Sequence, residues 1–158
     1  MFTDAMTIVD KGRICRIYHP EEVRLDGRNW QQYMDVIVDQ TVTILENEPV
    51  DIYANATYIP DEMNEDYDSY WTDERVDRVL DVLEKNGIAM EIGSRYMIPS
   101  FDIIRKAKAR SIKFTFGTNN VDADFGRSEY AVQAVMECGL TADDIWFPSM
   151  STKAQRRR

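Results

Sequence analysis

Three short apolar runs in this chain each end in a cluster of amide, hydroxyl and carboxylate side chains. Phe114 to Phe116 leads through Gly117 into Thr118, Asn119, Asn120 and Asp122. Val50 to Ala54 leads to Asn55 and Thr57, and Ile88 to Ile92 carries Glu91 and ends at Ser94 and Arg95. Oxygens of these types accept hydrogen bonds and coordinate hard cations. A strand that releases them after a glycine lets the backbone approach a ligand closely. In a parallel sheet such strand ends share one face, where binding and catalytic loops sit.

Each candidate also has a structural reading. Asn55 and Thr57 either line a pocket or satisfy backbone groups through Asx and Ser/Thr turns. Asn119 and Asn120 favour a ligand loop, because Gly117 precedes them and Asp122 follows. Glu91 lies within a strand, where an unpaired carboxylate is costly, so it must be paired or functional; Arg95 is the nearest partner in sequence. Arg127, at a helix start beyond the Asn loop, offers a guanidinium fork for phosphate or carboxylate, or a surface ion pair. His19 is the only histidine, and it precedes Pro20 with no nucleophile or acid arranged around it, so it reads as structural or exposed.

The elements that must position these groups alternate. Lys11 and Gly12 mark a turn between Met1 to Asp10 and the alternating run Arg13 to Tyr18, which predicts a β-hairpin. Trp30, Met34, Ile37, Val38, Val42 and Leu45 recur at helical spacing over 29–46, before Pro49. Strands are predicted at Val50 to Ala54, Ile88 to Ile92, Ile112 to Phe116 and Ile145 to Phe147. Between them lie helices capped by Thr72 and by Ser100, and a third over 127–138. Asn55 to Trp71 is too long for a simple connection; its carboxylates and aromatics read as a lid or partner surface, or as a solvated loop pinned by its aromatics. Such βα alternation requires parallel strands with right-handed crossovers. It predicts an α/β domain over 1–148, with hairpin and helix in 1–48 and βα repeats in 50–148, and a disordered basic tail over 149–158.

Composition narrows the function classes. The chain has 158 residues, 44% hydrophobic and 30% charged, with a formal charge of −9 and a mean hydropathy of −0.46. That charge disfavours broad nucleic-acid binding, which needs a basic face. Charge interrupts every apolar stretch and Met1 to Asp4 lacks the pattern of a signal peptide, so the expectation is a cytoplasmic chain without membrane spans. Cys15 and Cys138 have no Cys-x-x-Cys spacing and read as reduced small hydrophobes.

From Val50 to Pro148 the chain resembles the C-terminal half of PHP domains, the polymerase and histidinol phosphatase superfamily of metal-dependent phosphoesterases. The resemblance rests on Val50-Asp51-Ile52 leading to Asn55, on Glu91-Ile92-Gly93-Ser94-Arg95, on Lys106-Ala107-Lys108 ahead of Phe114-Thr115-Phe116-Gly117-Thr118, and on Gly139-Leu140-Thr141. It implies a partial (β/α) barrel of PHP type with parallel strands, preceded by the hairpin and helix, and a hydrolase-type site with divalent metal at the strand ends. The family's N-terminal His-x-His strand is not visible in this sequence. Where the family commonly places histidine after the first of these strands, the chain has Asn55, and the family's Gly-Ser-Asp-x-His segment reads Gly117-Thr118-Asn119-Asn120-Val121. Neutral amides and valine replace the charged and imidazole ligands that hold Zn, Mn or Fe. A trinuclear centre is therefore not expected, although Glu91, Asn119 and Asp122 leave room for one weakly held hard cation.

Two function classes follow: a PHP-like phosphoesterase domain completed by a missing half-barrel or a second copy, and a non-catalytic domain that uses the same face to bind a small polar or phosphorylated ligand or a partner. A half-barrel exposes a strand edge and an inner face, so a homodimer is expected unless the N-terminal hairpin and helix cover them.

Overall fold

The computed structural model describes residues 1–120, 123 and 126–148. Among these, four strands form one parallel sheet in the order β1 (Phe2–Asp4), β4 (Ile52–Ala54), β5 (Ala89–Gly93) and β6 (Phe114–Gly117). The pairs are in register at Asp4 with Ala54, Tyr53 with Met90, and Glu91 with Thr115. A separate antiparallel hairpin joins β2 (Thr7–Asp10) to β3 (Arg13–Arg16). Five helices complete the mixed α/β architecture: α1 (Trp30–Asn47), the single turn α2 (Tyr67–Tyr70), α3 (Asp73–Asn86), α4 (Phe101–Ala109) and α5 (Glu129–Glu137). The three central predicted strands are thus parallel and adjacent, with their C-terminal ends on one edge.

Local chemistry explains the boundaries. Asn29 caps α1 reciprocally with Gln32, each side chain bonding the other's backbone N–H. Thr72 Oγ1 accepts the Arg75 N–H at the start of α3, and Gly87, with φ +63°, ends that helix in the left-handed conformation. Ser100 occupies the corresponding position before α4 but makes no capping bond. The register places Tyr53, Met90 and Phe114 on one sheet face, all at most 1% exposed. They share a continuous core with Met34 and Val38 of α1, Leu80 and Leu83 of α3, and Ile104 of α4. The opposite face carries Ala54, Glu91 and Thr115, all half-buried, and this is the face on which chemistry can occur.

Three expectations are corrected. Met1 to Asp10 is not one hairpin strand: Asp4 Oδ1 accepts the Met6 N–H at 2.9 Å, turning the chain after Phe2–Asp4, which joins the parallel sheet instead. The 55–71 connection is not irregular throughout. It holds a 3-10 helix (Asp61–Asp66) and α2, anchored by buried Tyr58, Met63 and Trp71. Ile145 to Phe147 forms no strand; one bridge pairs Ile145 with Phe114, and the Trp146 N–H reaches Phe114 O at 2.8 Å. Pro148 has no N–H to extend that ladder. Val121, Asp122 and the basic tail of 149–158 lie outside the described residues.

The most buried of the ion pairs that tie the hairpin to the segment ahead of α1 joins Asp10 to Arg28. Arg28 reaches both oxygens of Asp10, at 3.1 and 2.5 Å, donates to Leu25 O and Arg24 O, and lies 5.3 Å from the Tyr33 ring centroid. The Asp10 side chain is only 8% exposed, and the Arg28 hydrogen bonds hold its carboxyl below the usual aspartate range. Because the folded-state value is depressed, this stabilisation is complete at neutral pH and is lost as pH falls through that value, below about pH 4. Arg28→Ala is expected to lower unfolding free energy by about 2–3 kcal/mol, since it strands a buried carboxylate. Urea melts at pH 7 and pH 3 check this: the deficit of the variant must shrink at the lower pH.

Candidate functional site

The C-terminal ends of the four parallel strands bring Asp4, Asn55, Glu91 and Asn119 together. Asn55 is the hub. Its backbone N–H donates to Glu91 Oε2 at 2.5 Å, its side-chain amide donates to Asp4 Oδ1 at 3.1 Å, and its carbonyl Oδ1 accepts from Asn119 Nδ2 at 3.2 Å. Its φ of +47° turns the chain sharply at the end of β4, a conformation that asparagine tolerates better than most residues. Asn119, with φ +46°, does the same beyond β6.

Gly117 makes room for the central carboxylate. The Glu91 side chain crosses toward β6 so closely that a methyl group on Gly117 would collide with Glu91 Oε1. Here glycine is required by close approach rather than by backbone conformation. Burial raises the Glu91 carboxyl above its usual range, the Asn55 N–H pulls it down, and the Asp4 charge raises it further. Its hydrogen bond therefore comes from Asn55, while Arg95, the neighbour in sequence, has its guanidinium carbon 6.0 Å from the Tyr96 ring centroid.

The other candidates occupy different roles. Thr57 is 2% exposed, its hydroxyl lies between Ala56 O and Tyr67 Oη at 2.5 Å each, and its carbonyl accepts the Trp71 indole N–H at 2.8 Å. It anchors the 55–71 connection and has no hydroxyl to spare. Asn120 is exposed, and its Oδ1 accepts the Gly126 N–H at 3.0 Å, closing the loop after β6. Thr118 is half-buried beside Asn119, and Arg127 is exposed ahead of α5. Ser94 ties the edge together: its N–H bonds Gly117 O at 2.9 Å and its Oγ accepts the Ala131 N–H at 3.2 Å. Asp122 lies outside the described residues.

Asp4 is the group that sequence reasoning missed. Its signal was present, since Phe2-Thr3-Asp4-Ala5 repeats the pattern of Tyr53-Ala54-Asn55-Ala56, an apolar strand end followed by an acceptor and alanine. Asp4 is exposed, and its Oδ2 takes no hydrogen bond from the described residues, nor does Glu91 Oε1. The edge therefore presents oxygen acceptors.

The described residues do not assemble the metal cluster that the resemblance implies. Among the described residues, no three His, Cys, Asp or Glu side chains are grouped to hold a metal ion. His19 meets the Tyr18 ring at a tilt of 42°, with centroids 4.5 Å apart, and lies 3.1 Å from Glu21, in the turn after the hairpin. Cys15 and Cys138 are free and buried. No described helix is long and apolar enough to cross a membrane. No protein-family model, curated protein or solved structure matches the chain.

Two outcomes are expected of this geometry. Gly117→Ala should expel the Glu91 carboxylate, break its bond to Asn55 and cost about 1–3 kcal/mol; adding Glu91→Ala should recover part of that loss, and full additivity in a double-mutant cycle would contradict the contact. Because the folded-state value of Glu91 is raised, its contribution favours folding at low pH and declines as pH rises from the ordinary glutamate range through the raised value. Glu91→Gln keeps an acceptor for Asn55 and removes the charge. Its Tm should match the parent near pH 4 and exceed it at pH 7, and a lower Tm at pH 7 would show that no burial penalty exists.

Proposed function

We propose that the chain is a PHP-type partial (β/α) barrel whose strand-end face binds a small polar ligand and does not by itself hydrolyse phosphoesters. The observation that carries this reading is the convergence of Asp4, Asn55, Glu91 and Asn119 from the ends of four parallel strands, where such sheets bind ligands. The acceptor oxygens of Asp4 and Glu91 favour a ligand rich in O–H or N–H donors, such as a polyol. They disfavour an isolated phosphate, which two carboxylates repel. Turnover would need a polarising ion or cationic groups at the reacting oxygen, and Asp4, Asn55, Glu91 and Asn119 include no cationic side chain.

A second reading, hydrolase-type activity when further ligands are supplied by a missing half-barrel or another copy, is favoured by one feature: a half-buried carboxyl raised above its ordinary range and set beside a second carboxylate, the arrangement that separates acid from base. Both readings meet in one experiment. Titration with myo-inositol should shift the NMR signals of Asp4 and Asn119, and inorganic phosphate should shift them less. p-Nitrophenyl phosphate with Mg, Mn or Zn should give no more hydrolysis than the Glu91→Gln variant. Metal-dependent hydrolysis that disappears in that variant would put the phosphoesterase reading first.

A further inference from the structure

On the other side of the Asn55 to Tyr58 turn, whose ends are joined by the Tyr58 N–H to Asn55 O bond at 3.0 Å, lies a pocket of about 330 Å³. It opens between the loops that follow β4 and β5, and its walls include Tyr58, Tyr67, Tyr96, Met97 and Ile98. Tyr58 and Tyr96 meet edge to face, with centroids 5.0 Å apart and planes at 73°. The Tyr67 hydroxyl bonds Thr57 at 2.5 Å and the Tyr58 hydroxyl bonds Asp61 at 3.4 Å, so what these two rings offer the pocket is aromatic surface. Met97 stands at its lip, 64% exposed.

The surrounding charge has one sign on the first loop. From Ile52 to Thr72 there is no Lys, Arg or His, while Asp61, Glu62, Glu65, Asp66 and Asp68 are all present. The Asp61 carboxylate accepts from two lining residues, the Tyr58 hydroxyl and the Asn64 amide, the latter at 3.2 Å. Tyr96 already receives one cation within the chain, the Arg95 guanidinium. Aromatic walls with a polarisable thioether, backed by a carboxylate bonded to the lining residues Tyr58 and Asn64, attract an organic cation by the ring quadrupole and by Coulomb attraction. An anion meets the opposite field.

We propose that this pocket binds a small organic ammonium ion carrying methyl or short alkyl groups on nitrogen. Its volume lies at the lower end of the range for small-molecule sites, which suits a compact head group rather than a long chain. A neutral hydrocarbon of the same shape would use the walls but leave the carboxylate field unused. Burial, and after it the Asp61 charge, pushes the Tyr58 hydroxyl well above the ordinary tyrosine range, so this ring meets a ligand in its neutral form. The proposal stands on residues separate from the strand-end acceptors and does not depend on the function proposed for them.

Tetramethylammonium chloride and neopentyl alcohol, a cation and a neutral molecule of similar size, provide the test with the whole chain. Tetramethylammonium should shift the aromatic signals of Tyr58 and Tyr96 and the methyl signal of Met97, and should bind more tightly than the alcohol. Tyr96→Leu should weaken it about five-fold, the ratio corresponding to an exposed cation–π contact, Tyr96→Phe should retain it, and Asp61→Asn should weaken it most at low salt. Equal affinity for the alcohol, unchanged affinity in Tyr96→Leu with an unchanged Tm, or no shift at these three residues would overturn the proposal.

Discussion

A half-buried carboxylate with one backbone donor governs the ends of this sheet. Glu91 cannot be accommodated unless β6 supplies glycine beneath its Oε1 and β4 supplies an N–H to its Oε2. The second condition requires the chain to turn at Asn55 with positive φ, so that the peptide N–H points along the edge. The turn then frees the Asn55 amide to bridge Asp4 and Asn119. One unfavourable charge is thereby converted into a hydrogen-bonded belt across four strands. In a low-dielectric setting such a belt is strong when complete and costly when broken.

The same turn launches the acidic and aromatic connection, whose order depends on what it buries. Tyr67 and Trp71 both close back on Thr57, and Arg75 fixes the far end. Its guanidinium, 11% exposed, donates to Tyr70 O, to Gln31 Oε1 and to Asp35 Oδ1, which joins α3 to α1 across the end of the loop. Exposed pairs such as Arg78 with Asp39 add little, whereas the largely buried Arg75 guanidinium also donates to the Tyr70 and Gln31 carbonyls. Carboxylates along this segment can then remain in solvent without unravelling it, because the aromatics and one arginine hold the backbone.

Periodicity made the helices legible: α1 and α3 follow their apolar stripes, and Thr72 and Gly87 mark the limits of α3. The three central strands were readable from β-branched and aromatic runs that end in polar clusters. Position within the sheet was less so. Phe2 to Asp4 is too short to announce itself, and only the Asp4 side chain, by capturing the Met6 N–H, separates it from the hairpin. The failed strand at Ile145 has suitable residues but a single bridge, since Pro148 follows. At the site, Asn55, Glu91 and Asn119 were legible as residue types, but their connection was not. Sequence adjacency suggested Arg95 for Glu91, while the sheet register brought Asn55, 36 positions away, into contact.

That connection changes which group a ligand meets. One Glu91 oxygen is engaged by Asn55, and the other lies so close beside Gly117 that a Cβ there would collide with it. Moving Glu91 would uncouple Asn55 and with it the Asp4 and Asn119 contacts. Asp4 carries no such obligation at Oδ2, and it is the exposed carboxylate of the cluster. The two acids therefore differ in kind: Glu91 holds the edge in shape through Asn55, and Asp4 carries the exposed charge of the cluster.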